Sequence, residues 1–127
     1  MGDIDTLRKD KDSMEQARFA AEALTDVKGK EIVLMDLTHL STFSDFFIIA
    51  TGDSRVHMKA LADRVREVMS QTGTRINHSE GHDSKTWILL DFSDVIVHIF
   101  SPSARKYYGL EQLWGDAKII PWTPESR

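Results

Sequence analysis

The chain has 127 residues and no cysteine. That length suits one domain with one core and excludes a two-lobed enzyme, while the missing thiols exclude a disulfide scaffold, cysteine-ligated zinc, thiolate catalysis and iron–sulfur clusters. Sixteen Lys and Arg against twenty Asp and Glu leave a net charge of -4, a field that repels RNA and DNA in bulk, so a nucleic-acid partner has to be met locally or through another protein.

Residues 2–12 are charged and almost devoid of large apolar groups, which predicts a frayed leader. They lack the apolar stretch of a signal peptide and the acid-poor, Arg-rich character of an organelle presequence. The longest apolar run, Phe46-Phe47-Ile48-Ile49-Ala50, is far short of the roughly 20 residues of a membrane span. Together these features predict a cytoplasmic protein. Ser13 with Gln16 matches a capping box, and Met14, Ala17, Ala20, Ala21, Leu24 and Val27 then keep helical spacing up to Gly29. Two strands follow, at residues 32–37 and 45–51. Apolar residues on both faces of the second mark it as a central, covered strand. Their connection is too short for a crossover helix, so the pair is expected to be antiparallel.

Gly52 ends the second strand, and Asp53 or Ser54 can cap a helix carrying Met58, Leu61, Ala62, Val65, Val68 and Met69 on one face. Residues 75–77 suit a brief strand and residues 78–85 a polar loop. Residues 87–92 and 95–100 form a hairpin about a Ser93-Asp94 turn. Ser101 before Pro102 starts a short helix that ends at Gly109. Another helical turn at residues 110–114 and an edge strand at residues 118–120 complete the order. These elements predict a single α/β domain over residues 13–120, with a mixed sheet of about five strands flanked by helices and residues 121–127 as a tail.

Catalytic motifs are scarce: there is no Gly-rich phosphate loop with a following lysine, no histidine pair at ligand spacing and no serine elbow. Asp36, Asp91 and Asp94 could meet at one sheet edge around magnesium, but turn and strand-end aspartates commonly bond nearby backbone N–H groups, and that is the stronger reading. Of the five histidines, His39 belongs to no pattern, while His78 and His82 lie in the polar loop without a third spaced ligand. His57 sits one turn into the second helix, as an anion contact or an ordinary helix residue. Alternation puts His98 with Ile96 and Phe100 on one strand face, where a core histidine needs a hydrogen-bond partner. Trp87, Tyr107, Tyr108 and Trp114, close to Arg105 and Lys106, are of the residue types that dominate binding hot spots, though core packing explains them equally well.

Several ordered blocks resemble the ribosomal silencing factor, or Iojap-like, family. They are Asp45-Phe46-Phe47-Ile48-Ile49-Ala50-Thr51-Gly52 with Ser54 and His57, Gly81 with Trp87-Ile88-Leu89-Leu90-Asp91, and Asp94-Val95-Ile96-Val97-His98-Ile99-Phe100. Arg105, Tyr108, Leu110-Glu111 and Leu113-Trp114 complete the set. The match covers residues 14 to about 117. Ser93 stands where the family usually has glycine, which bears on turn geometry, and Val56 replaces a residue that is often basic. The resemblance implies a nucleotidyltransferase-like fold without the catalytic glycine-serine and paired-carboxylate set, hence no catalytic residue, cofactor or metal. It also implies a factor that binds the large ribosomal subunit through ribosomal protein fourteen and blocks joining with the small subunit, so that translation is repressed.

A docking surface is then expected at Trp87, Asp91, Tyr107, Tyr108, Leu113 and Trp114, with Asp91 meeting a basic group and the aromatics acting as anchors. Two other readings stand beside it: a large-subunit assembly factor, and a small magnesium-dependent nucleotidyl- or phosphoryl-transfer enzyme built on Ser54, Asp91 and Asp94. An exposed strand at residues 118–120 would also allow a homodimer.

Overall fold

The computed structural model describes residues 2–123, with side chains from Ser13 onward. Its elements run α1 (Gly2–Asp26), β1 (Lys30–Asp36), β2 (Phe46–Thr51), α2 (Arg55–Gln71), β3 (His78–Glu80), β4 (Trp87–Asp91), β5 (Val95–Phe100), α3 (Pro102–Tyr108), α4 (Leu110–Leu113) and β6 (Lys118–Pro121). Six strands form one sheet in the order β3-β4-β5-β2-β1-β6, one more than the sequence pattern suggested. The β1–β2 pair is antiparallel, as its short connection requires, and β2–β5 is parallel. The other neighbours are antiparallel.

Every residue of β2 is buried, because both sides of the sheet are covered at its centre. On one side α1 and α2 pack Ala17, Ala20, Ala21 and Leu24 with Met58, Leu61, Ala62, Val65 and Met69 over Ile48, Val97 and Ile99. The opposite side holds Met35, Leu37, Phe47, Ile49, Phe100, Ala104 and Ala117, with Trp87, Ile96 and Trp114 packed against them. Only the short α3 and α4 lie there, so this second cover is partial.

The caps show why the helices start where they do. Ser54 accepts the His57 N–H at 3.1 Å, and Ser101 accepts the Ala104 N–H at 3.2 Å, each satisfying a donor that the first helical turn leaves open. Gly109 ends α3 in the left-handed region at φ 55°. Three expectations need correction. Helix α1 does not begin at Ser13 but runs through it from Gly2, and Ser13 is fully buried, so the capping-box pattern reflects an ordinary helical stretch. At the other end the helix stops at Asp26, short of the Gly29 to which the spacing ran, and Lys28 turns the chain in the left-handed region at φ 60°. The strand expected at residues 75–77 forms instead at His78–Glu80, where it pairs with Leu89, Leu90 and Asp91. Pairing with β4 therefore takes the first residues of the stretch read as a polar loop. At the C-terminal end Pro121 closes β6 opposite Val33, and the Trp122 N–H donates to the Ile32 carbonyl at 2.8 Å.

Two turns carry the backbone strain that sets the β3–β4–β5 edge. Gly81 has φ 75°, and a Cβ there would run into the Trp87 carbonyl. Ser93 has φ 73°, a conformation that costs an L-residue roughly 1–2 kcal/mol and that glycine adopts freely. Replacing Ser93 by Gly should raise stability by roughly 0.5–1 kcal/mol, the strain relief exceeding the entropy that glycine adds to the unfolded chain. Replacing Gly81 by Ala should lower it by about 2 kcal/mol or more. Urea midpoints that move up and down respectively, at unchanged m, are the expected measurement.

Candidate docking face

The six residues expected to dock group on the partly covered side of the sheet and at its edge. In β4, alternation turns Trp87, Leu89 and Asp91 to that side, away from the buried Ile88 and Leu90. Register carries the row on from Asp91 to Ile96, then Phe47, Met35 and Ile119. Trp87 stands opposite Phe100 and packs on Tyr108, with ring centroids 4.8 Å apart. Tyr108 in turn meets Tyr107 edge-on at 5.1 Å. Trp114 meets Phe47 at 6.0 Å and Phe43 at 6.4 Å, with ring planes at 85° and 64°. His98 joins the two groups, 4.6 Å from Phe47 and 5.8 Å from Trp87. The result is a continuous aromatic strip from Phe43 to Tyr107.

Exposure differs sharply along the strip. Tyr107 is 82 % exposed, Leu113 74 % and Phe43 65 %, whereas Trp87 and Trp114 are half-buried. Phe43, together with the exposed Leu40 and Ile119, was not anticipated as part of this surface. Apolar residues in a connecting loop were its sole sequence signal. Ser44 and Asp45 tie the loop of Leu40 and Phe43 to the β4–β5 turn through the Asp94 carbonyl, while Ile119 is set by pairing with Met35.

Arg105 holds the strip in place. Its Nε donates to Glu111 at 2.9 Å, and its Nη1 donates to the Glu31 carbonyl at 2.6 Å and to Thr51 Oγ1 at 3.0 Å. One guanidinium thus ties α3 and α4 to β1 and β2. It also satisfies the carbonyl of Glu31, which sits at φ 48° where the β1–β2 register shifts. With the side chain only 10 % exposed, Arg105 positions Tyr107, Tyr108 and Leu113 and offers little surface itself.

The polar residues settle into structural roles. Trp87 Nε1–H donates to His98 Nδ1 at 3.1 Å, so the ring proton resides on Nε2, which is buried without a hydrogen-bond partner. Burial pushes the His98 pKa down to about 3. His57 links the β2–α2 turn to the end of α1: its Nδ1 accepts the Asp53 N–H at 2.9 Å, and its Nε2 lies 2.7 Å from the Val27 carbonyl. Both nitrogens are engaged, which removes the anion-contact reading. Asp91 Oδ1 accepts the Ser93 N–H at 2.7 Å, and Asp36 Oδ1 accepts the Thr38 N–H at 3.0 Å.

The alternative catalytic trio does not assemble. Ser54 lies beyond the C-terminal end of β2 and Asp94 just before the N-terminal end of the parallel β5, which places them about a strand length, roughly 17–20 Å, apart. Among the described residues, no three His, Asp or Glu side chains gather in a way that could hold a metal ion. No helix among them is long and apolar enough to cross a membrane.

Sheet, helices and strip define a single-domain, mixed-sheet α/β protein with one exposed aromatic face. Residues 10–127 match the family described as ribosomal silencing factor during starvation, and the chain belongs to that family. It is 44 % identical over 104 residues to the ribosomal silencing factor RsfS of Chromobacterium violaceum, covering 82 % of this chain and 85 % of that one. It is 34 % identical to the chloroplastic protein Iojap of Arabidopsis thaliana over 86 % of this chain and 47 % of that longer one. A crystal structure of a Chromobacterium violaceum protein shares the fold with a TM-score of 0.79 at 44 % identity, covering 83 % of this chain and 88 % of that one.

The buried His98 predicts a pH dependence. Its folded-state pKa of about 3 lies below its ordinary value of 6.5, so the unfolded chain takes up a proton that the folded chain refuses. The stability contributed by this site is fully present above about pH 6.5 and is lost progressively as pH falls toward 3, at up to about 1.4 kcal/mol per pH unit. His98→Leu should remove one proton's worth of that slope. At neutral pH it should cost about 1–3 kcal/mol, because the Trp87 N–H loses its acceptor. Urea titrations at several pH values, comparing the two proteins, test both statements.

Proposed function

We propose that this chain represses translation in the cytoplasm by binding the large ribosomal subunit through ribosomal protein fourteen. Docked there, it covers ground that the small subunit needs. The observation that carries the reading is the aromatic strip with its exposed Tyr107, Leu113 and Phe43, in a chain that belongs to the ribosomal silencing factor family. Large side chains of this kind dominate protein interfaces because each removes much apolar area from water and, for Tyr and Trp, brings a polar group to the rim. The net charge of -4 suits a basic ribosomal protein and steers the encounter. The turn bond of Asp91, at the strand end beside the strip, uses Oδ1, which supports a role for the rest of this carboxylate in meeting a basic group.

Silencing by this route needs no bond to be made or broken. Occupancy and bulk suffice, provided the factor leaves more slowly than the small subunit arrives.

Tyr107→Ala and Leu113→Ala remove exposed groups, so thermal midpoints should barely move while affinity for ribosomal protein fourteen falls by about 2 kcal/mol if these are hot spots. Asp91→Asn keeps an oxygen for the Ser93 N–H, and should weaken binding mainly at low salt, where the lost charge is least screened. In a joining assay with purified subunits, added protein should reduce the joined fraction and the weakened variants should restore it. Joining at the same extent with saturating factor would overturn the occlusion mechanism, and accumulation of unfinished large subunits in gradients would favour a role in assembly.

A further inference from the structure

Where α2 ends, on the helix-covered side of the sheet, a cavity of about 420 Å3 opens beside the β3 edge. Arg66, Arg75, Ser70 and Thr74 line it over an apolar floor of Ile76 and Phe92. Among the described arginines, Arg55, Arg64 and Arg105 pair with carboxylates, and Arg18 on α1 does not. Arg66 and Arg75 have no carboxylate partner among the described residues. The guanidinium of Arg66 is oriented by donating from Nη2 to Ser79 Oγ at 2.7 Å, while its Nε is buried with no partner. A buried donor on a cation left unmatched is costly, and an anionic acceptor in the cavity would match it.

The end of a helix ordinarily repels anions through its open carbonyls, but here those carbonyls are engaged. Val68 O accepts the Thr72 N–H at 3.0 Å, Ser70 O the Gly73 N–H at 3.1 Å and Met69 O the Thr74 N–H at 2.8 Å, with Thr72 Oγ1 on Met69 O as well. Gly73 adds room, since a Cβ there would meet nothing within 4 Å.

We propose that Arg66 and Arg75 hold one phosphate of the ribosomal RNA backbone when the chain is docked. This rests on the ribosome-binding reading above. The position suits a second contact: the Asn77 N–H donates to the Asp91 carbonyl at 2.8 Å, so the cavity lies around the sheet edge from the Asp91 end of the docking face. The contact requires a particle seated on the aromatic strip to extend round that edge. Two guanidiniums give a local cationic spot without altering the overall charge of -4, so the contact adds affinity on the ribosome and does not by itself hold free RNA.

The test measures binding of wild type, Arg75→Gln and the Arg66→Gln/Arg75→Gln double variant to purified large subunits across a salt series, in parallel with isolated ribosomal protein fourteen. For one lost phosphate contact, the slope of log K against log salt should become shallower by roughly 0.7–0.9, with affinity for the subunit falling on the order of tenfold and affinity for the isolated protein unchanged. Arg75 makes no hydrogen bond or ion pair to the described residues, so its single variant reads the contact even if loss of the Arg66–Ser79 bond loosens the fold. An unchanged slope, or an equal loss on the isolated protein, overturns the proposal. So does protection of wild type by inorganic phosphate with no change of slope, which would assign the site to a free anion. Wild type that binds subunits but not isolated ribosomal protein fourteen would refute the docking partner while leaving the slope to decide the arginines.

Discussion

The burial of β2 on both faces is the constraint from which the rest of the molecule follows. A strand reading Phe46-Phe47-Ile48-Ile49-Ala50 has no polar side to offer water, so it must lie at the sheet centre with cover above and below. Two amphipathic helices supply one cover. Among the described residues no third long helix follows, and the second cover is assembled from large side chains: Phe47, His98 and Phe100 from the two central strands, Trp87 from the neighbouring β4, and Tyr108 and Trp114 from the ends of two short helices. The outer members of that layer remain half in water. The exposed aromatic strip is thus the consequence of covering a two-sided hydrophobic sheet with one full layer of helices and one partial layer of side chains.

Arg105 converts this packing solution into a surface of fixed shape. Short helices of seven and four residues have little stability of their own, and Tyr107, Tyr108 and Leu113 would wander without an anchor. Bonds from one guanidinium to Glu111, Thr51 and the strained Glu31 backbone hold both helices against the strand ends. Preorganised side chains lose less entropy on binding than mobile ones.

Several site residues were legible only in part. His98 had to be a core histidine with a donor nearby, and alternation put it on the face of Phe100, yet nothing local names Trp87 as that donor. The two residues stand eleven positions apart and meet because the β4–β5 register sets Trp87 opposite Phe100 and Leu89 opposite His98. Asp36 and Asp91 were readable as turn residues, since a carboxylate two positions before a backbone N–H bonds it whatever the distant fold does. Phe43 could not be placed, because a loop residue has no periodicity to read. The strand near residue 78 was misplaced by a few positions for a related reason: His78-Ser79-Glu80 has no strand character, and pairing with β4 alone makes it one.

By itself, the sequence determined the kinds and order of the elements, the two helical caps, the central strand, the charge balance and the family, all of which rest on neighbours a few residues apart or on ordered blocks of residues. Tertiary structure alone decided which side chains from different elements share a face. It set Ser54 and Asp94 at opposite ends of a parallel pair, joined Tyr107 to Phe43 through a strip of rings, and brought Arg66 and Arg75 to one cavity. Those outcomes depend on strand order and register, which are chosen by the burial of the whole sheet and leave no mark in any local stretch of chain.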